Sequence, residues 1–182
     1  HMEFDSASVS AGGVKLEQAE GTRFLLCRFV GFHQIGLWST GYRGNELYVD
    51  MCWFQELHDI SRCHEVGLKT GTAIQLDNPD HSIANSVIMC TRTGIVASGR
   101  QSDMLPAGGS ASIASNVHIY TIGVTEYPHG CAHLATGTKH FRFLGCYFDG
   151  CPVFVDDPDL LTIADSLFLL IEGSGSANLS TI

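Results

Sequence analysis

Two carboxylates, Glu56 and Asp59, flank a histidine, His58, in the most polar stretch of the chain, and a third, Asp77, follows the next strand. Paired carboxyl groups are the apparatus of glycoside hydrolysis. They lie about 5–5.5 Å apart when the anomeric configuration is retained and about 6.5–9.5 Å apart when it is inverted. Glu56, Asp59 and Asp77 are therefore the candidate catalytic set, provided that a loop carries the first two over the segment holding the third. Elimination chemistry would instead need a base and a cation, for which His58, His64, His129 and Arg62 are available. Trp38, Trp53, His58 and Tyr147 are candidate substrate-binding residues, the rings offering flat apolar faces with polar rims. The competing reading is structural. Asp77-Asn-Pro-Asp80 and Asp156-Asp-Pro-Asp159 have turn composition, since Asp and Asn bond their own backbone and tolerate left-handed conformations.

These residues must be positioned by a repeat. An apolar residue, two variable ones, a small one, a variable one and another apolar one recur six times. The copies are Phe24-Leu-Leu-Cys27-Arg-Phe29, Val49-Asp-Met-Cys52-Trp-Phe54, Ile83-Ala-Asn-Ser86-Val-Ile88, Ile113-Ala-Ser-Asn116-Val-His118, Phe143-Leu-Gly-Cys146-Tyr-Phe148 and Ile163-Ala-Asp-Ser166-Leu-Phe168. The small positions are 25, 34, 30, 30 and 20 residues apart, which is the period of one solenoid turn. The fourth copy is ambiguous, because Val117 and Tyr120 could equally take its key positions.

A second strand precedes each hexad and opens on a small residue or proline. Alternation puts Val14, Leu37, Ile74, Ile95, Ala132 and Val153 inward, and Lys15, Trp38, Gln75, Val96, His133 and Phe154 outward, with Glu17, Thr40, Asp77, Ser98 and Asp156 following on the outward side. In the hexads Arg28, Trp53, Val87, Tyr147 and Leu167 point outward. The large outward residues Trp38, Phe154, Trp53, Tyr147 and Leu167 would form one contiguous patch, suited to packing against sister subunits or stacking on sugars. Residues 55–72, 99–112 and 121–130 interrupt the rhythm, and long loops on a rigid scaffold are where function concentrates.

Composition narrows the partners. The 182 residues carry a net charge of −9, which argues against sequence-independent nucleic-acid binding. No run of 18 apolar residues exists, so membrane insertion by a helix is not expected. His1-Met2 reads as a remnant of tag removal, leaving residues 3–182 as a single domain or an excised piece of a longer solenoid. Cys27, Cys52 and Cys146 occupy the small hexad position and should be buried ladder residues. Cys63, Cys90, Cys131 and Cys151 sit nearer turns, and free thiols suggest folding in a reducing cytosol. There is no CxxC or zinc-type spacing, and Cys63-His64-Glu65 are adjacent on extended chain, so neither a metal nor a cofactor is expected.

The rung style, with phrases such as Asn116-Val-His-Ile-Tyr-Thr-Ile-Gly123 and Phe143-Leu-Gly-Cys-Tyr-Phe-Asp-Gly150, resembles right-handed parallel β-helix proteins of the pectate-lyase-like superfamily. Among these it is most similar to phage tailspike domains and related polysaccharide depolymerases, over roughly residues 12 to 171. The resemblance implies an all-β, right-handed, single-stranded solenoid of about six rungs. It also implies a homotrimer, a polysaccharide partner, and residence on a virion tail or outside the cell. The alternatives are a non-catalytic trunk or receptor-binding segment of a phage tail protein, or a lyase, epimerase or fructosyltransferase of the same fold.

Overall fold

The computed structural model describes residues 2–5, 12–17, 19–41, 46–98, 110–156 and 161–169. Most of the expected loop at 99–112, the turn residues 157–160 and the Ser/Gly-rich residues 172–182 lie outside the described residues. The strands run β1 (Met2–Asp5), β2 (Gly12–Glu17), β3 (Arg23–Leu25), β4 (Cys27–Val30), β5 (Ile35–Thr40), β6 (Tyr48–Asp50) and β7 (Trp53–Gln55). They continue as β8 (Thr72–Leu76), β9 (Ser82–Ala84), β10 (Val87–Met89), β11 (Thr93–Ala97), β12 (Ile113–Ser115) and β13 (His118–Tyr120). The last are β14 (Ala132–Leu134), β15 (Arg142–Leu144), β16 (Tyr147–Asp149), β17 (Val153–Val155), β18 (Thr162–Ala164) and β19 (Leu167–Leu169).

Every third strand returns to the same sheet, and every pairing is parallel. Sheet A holds β1, β4, β7, β10, β13, β16 and β19. Sheet B holds β2, β5, β8, β11, β14 and β17, and sheet C holds β3, β6, β9, β12, β15 and β18. This is an all-β, parallel β-helix-like solenoid. Its hydrophobic interior is walled by Phe29, Phe54, Ile88, Ile119 and Phe148 from sheet A, by Leu37, Ile74 and Ile95 from sheet B, and by Val49, Ile83 and Phe143 from sheet C. Phe29 and Phe54 stack with ring centroids 4.5 Å apart, and Phe148 and Phe168 stack at 4.6 Å, so like residues pile along the axis.

The hexad is explained by the corner between sheets C and A. Leu26, Met51, Asn85, Asn116, Gly145 and Asp165 all have φ between +47° and +62°. The small residue after this left-handed position folds back on the corner. The Ser86 hydroxyl donates to the Ala84 carbonyl at 2.6 Å and accepts the Cys52 N–H of the neighbouring turn at 3.0 Å. Ser166 does the same for Ala164 and Cys146.

The fourth copy is corrected by one residue. Asn116 takes the left-handed corner, Val117 the small position and Ile119 the core, while His118 points outward. Ala114, not Ile113, pairs with Ile83 as the inward residue of β12. Asn tolerates the left-handed region far better than Val, and a slip of one residue exchanges the faces of a strand. Asn116 also extends a ladder on the outside of this corner, its amide donating to Asn85 at 2.8 Å and that of Asn85 donating to Asp50 at 2.9 Å.

The small residues opening the sheet B strands have a steric cause. A Cβ on Gly94 would strike the Cys131 carbonyl, and one on Gly13 the Gly36 carbonyl.

The expectation of free thiols holds only for Cys27, Cys52 and Cys146, all buried. Cys63–Cys90 and Cys131–Cys151 are disulfides, with Cα atoms 4.8 and 5.2 Å apart, within the range such bonds require. Disulfides persist in oxidising compartments, so this pairing runs against folding in a reducing cytosol and points outside it. Stacking put these four cysteines within bonding distance although the chain separates them by 27 and 20 residues. Among the described residues, no helix is long and apolar enough to cross a membrane.

Candidate functional site

Strand alternation leaves sheet B with an outward column of Lys15, Trp38, Gln75, Val96, His133 and Phe154, in the register expected from the sequence. One backbone step past the inward residue at each strand end comes a second outward column. It contains Asp77, Ser98 and Asp156, whose N–H groups continue the inter-strand ladder. Neighbouring strands are roughly 4.8 Å apart, so the strip from Trp38 to Phe154 spans about 19 Å.

At one end of the strip, Asp77 gathers three donors. Trp38 Nε1 lies 2.6 Å from Oδ2, Gln75 Nε2 lies 2.9 Å from Oδ1, and the Ser98 hydroxyl also donates to Oδ1. Indole and amide N–H groups can only donate, so Asp77 serves here as an acceptor. Lys15 Nζ sits 4.8 Å from the Trp38 ring centroid and pairs with Glu17 at 3.6 Å.

At the other end, Asp156 is the hub. His133 Nε2 lies 3.1 Å from Oδ2, and the Tyr127 hydroxyl donates to Oδ1 at 3.1 Å. Tyr127 arrives from the connection at 121–130 and meets His133 and Phe154 edge-on, with centroids 5.4 and 5.5 Å apart. The bond to Asp156 pushes the Tyr127 phenol up, so it remains a donor. At the foot of this connection His129 Nδ1 lies 3.0 Å from the Thr93 hydroxyl, and Arg92 pairs with Glu126 at 3.0 Å. Burial, and then the charge of Arg92, push the His129 imidazole down, which favours its neutral form.

The predicted site residues fall into three places. Trp38 and Asp77 are brought together on sheet B. Trp53 and Tyr147 point outward from sheet A, about three strands and therefore roughly 14 Å apart. Trp53 Nε1 donates to Gln55 at 2.9 Å, and Tyr147 stacks on His118 with centroids 4.5 Å apart. The single aromatic patch expected from the sequence is thus two strips on different sheets, because each turn has three strands and those of sheets A and B face different directions. Glu56, His58 and Asp59 lie on the connection between β7 and β8.

Glu56 is fully buried. Its Oε1 accepts from the Thr70 N–H at 2.6 Å and lies 3.0 Å from the Thr70 hydroxyl, and Oε2 accepts from the Arg92 N–H at 3.2 Å. Asp59 is exposed and caps the short 3-10 turn Ile60–Arg62, accepting from Ser61 N–H and hydroxyl at 3.0 and 2.6 Å. These bonds hold its carboxyl below the usual range. His58 is exposed, and its carbonyl accepts from Gln55 Nε2 at 3.1 Å. Thr70, which binds Glu56, and Asp77 are separated by β8 and its flanks. At about 3.3 Å per residue that is on the order of 20 Å, well beyond the spacing of a hydrolytic pair.

Sequence reasoning placed His133 and Asp156 on the same outward side and named the connection carrying Tyr127 and His129, but it gave Asp156 a turn role and did not single it out for binding.

No protein family, no curated protein and no solved structure matches this chain. The resemblance to pectate-lyase-like and tailspike proteins therefore rests on rung style alone.

Proposed function

We propose that this chain is a polysaccharide-binding β-helix domain, right-handed and of about six rungs, that lays its glycan along the outer face of sheet B. The observation that carries the reading is the layout of that strip. Aromatic rings stand at both ends, at Trp38 and at Tyr127 with Phe154, and acceptors at Asp77, Ser98 and Asp156 line one margin. The inter-strand spacing is close to the length of one sugar ring in an extended chain, so successive sugars meet successive strands. Rings stacked on aromatic faces with hydroxyls on fixed acceptors are how a mostly open surface holds a polar ligand.

Cleavage of that glycan, as in a tailspike-like depolymerase, is the further step of this reading, but Glu56 and Asp59 are engaged in holding the β7–β8 connection and do not reach Asp77. Asp77 is the member of the candidate catalytic set on the strip. Asp156 is about 14 Å from it by strand spacing, so hydrolysis would need a second carboxylate brought by another subunit of a homotrimer. A trunk segment without catalysis is the second reading. It is favoured by the outer face of sheet A, where Trp53, Val87, Met89, Tyr147 and Leu167 offer a mostly apolar surface for sister subunits. The test is incubation with neutral and acidic capsular, O-antigen, pectic, alginate and fructan polysaccharides, reading both retention and the masses of released fragments. Retention supports the binding reading, and fragments add the enzyme. Neither, together with a sheet A face protected from exchange in a stable trimer, leaves the trunk.

A further inference from the structure

We infer that Asp156, Tyr127, His133 and Phe154 form a discrete subsite for an uncharged, hydroxyl-rich sugar, and that the strip as a whole selects neutral over acidic glycans. This rests on the polysaccharide-binding reading and adds the place and the chemical class. A carboxylate offers about four acceptor positions. Tyr127 and His133 occupy two at Asp156, one on each oxygen, and they fix its orientation. The remaining acceptor capacity faces a partly open surface beside Phe154, where a vicinal pair of sugar hydroxyls can donate while the ring rests against the aromatic edge. At Asp77 three donors are already seated, so that end contributes the Trp38 face more than free acceptors.

Charge decides the class. Lys15 is paired with Glu17 and Arg92 with Glu126 on the margins of the strip. Among the described residues, and apart from the imidazoles, the carboxylates of Asp77 and Asp156 leave the strip negative, on a chain whose net charge is −9. A uronate or sulfated chain would bring like charge to both carboxylates, a repulsion that salt screens. A neutral chain meets no such penalty.

The test is retention of the intact chain on arrayed neutral glycans (glucans, mannans, galactans) and acidic ones (alginate, polygalacturonate, sulfated galactans), at low and at high salt. The best neutral binder is then titrated against variants. The expected result is binding to neutral glycans with little salt dependence. Asp156→Ala and Phe154→Leu should each weaken it at least about tenfold, while Trp53→Ala on sheet A leaves it unchanged; unaltered thermal melts show that each variant is folded. Tighter binding of acidic glycans would overturn the charge inference. Loss of binding on Trp38→Ala but not on Asp156→Ala or Phe154→Leu would overturn the subsite and leave the strip. Loss on Trp53→Ala alone would move the glycan to sheet A and overturn both. Retention of no glycan of either class would also overturn both.

Discussion

Two long connections leave sheet A for sheet B, at residues 56–71 after β7 and at 121–130 after β13, and they use their polar residues in opposite ways. The first turns Glu56 and Lys69 inward, while His58, Asp59, Arg62 and His64 stay at the surface. Glu56 is sealed under Thr70 and Arg92, Lys69 is buried with Nζ donating to the carbonyls of Cys63 and Ile122 at 2.7 and 2.5 Å, and Cys63 is bonded to Cys90. The second turns its polar residues outward. Glu126 and Tyr127 are largely exposed, and the phenol reaches across sheet B to Asp156. The first connection is a brace, and through the Lys69–Ile122 bond it buttresses the second. Richness in His, Asp and Glu does not mark a ligand surface; the direction in which those groups spend their hydrogen bonds does.

The largest expected effect breaks the brace. Glu56→Ala removes the acceptor of the Thr70 N–H and the carboxylate whose charge favours protonated Lys69, while the Arg92 N–H keeps the Gly71 carbonyl at 2.9 Å. Leaving the Thr70 donor unpaired costs about 1–3 kcal/mol, and the cavity left by a fully buried side chain adds to it, so urea denaturation should show a loss of about 3 kcal/mol. A loss below about 1 kcal/mol would mean that the connection does not rest on this carboxylate. Next comes the disulfide. Cys63 and Cys90 close a loop of 27 residues. By chain entropy such a loop stabilises by roughly 3–4 kcal/mol, an upper figure because the denatured chain retains structure. Cys63→Ser with Cys90→Ser should therefore lower the melting temperature, and a reducing agent should then produce a smaller further fall than it does in the parent chain.

Lys69 gives the brace a pH signature. Burial pushes its pKa down from 10.5 to about 8, with Glu56 opposing the shift. Between about pH 8 and 10.5 the unfolded chain therefore binds more protons than the folded one, and stability rises with pH across that window. Lys69→Met should flatten the rise. A fall in stability over the same window in the parent, once tyrosine ionisation is accounted for, would show that Lys69 is not buried as the structure places it.

Much of this was legible in the sequence. Alternation and the hexad gave the inward and outward residues of sheet B and most of those of sheet A, because parallel stacking repeats one local pattern and each copy checks the others. The fourth copy slipped where two patterns competed, the small position and the left-handed corner, and both accept Asn116. The burial of Glu56 could not be read. Nothing in Gln-Glu-Leu-His-Asp distinguishes a carboxylate that takes N–H groups from residues 14 and 36 positions away from one that faces water. The disulfides were hidden for the same reason: rung stacking joins cysteines whose separation in the chain depends on loop length. Parity put Asp156 on the outward face, but its turn-like neighbours Asp157-Pro158-Asp159 hid it as a hub for Tyr127 and His133.

The smallest effect on stability tests the outward connection most directly. Tyr127→Phe keeps the ring edge against His133 and Phe154 and removes only the hydroxyl that donates to Asp156. Because that hydroxyl is exposed, water replaces it, and the melting temperature should barely move. Glycan binding should weaken about fivefold, because Asp156 loses one of the two donors that fix its orientation. Glu56→Ala has the opposite profile, losing stability first and binding only as the fold fails. Calorimetric titration and thermal melting of the two variants side by side therefore separate a brace from a ligand surface. If Tyr127→Phe destabilised the fold as much as Glu56→Ala, the second connection would be a brace too, and the strip on sheet B would lose Tyr127 as a recognition element.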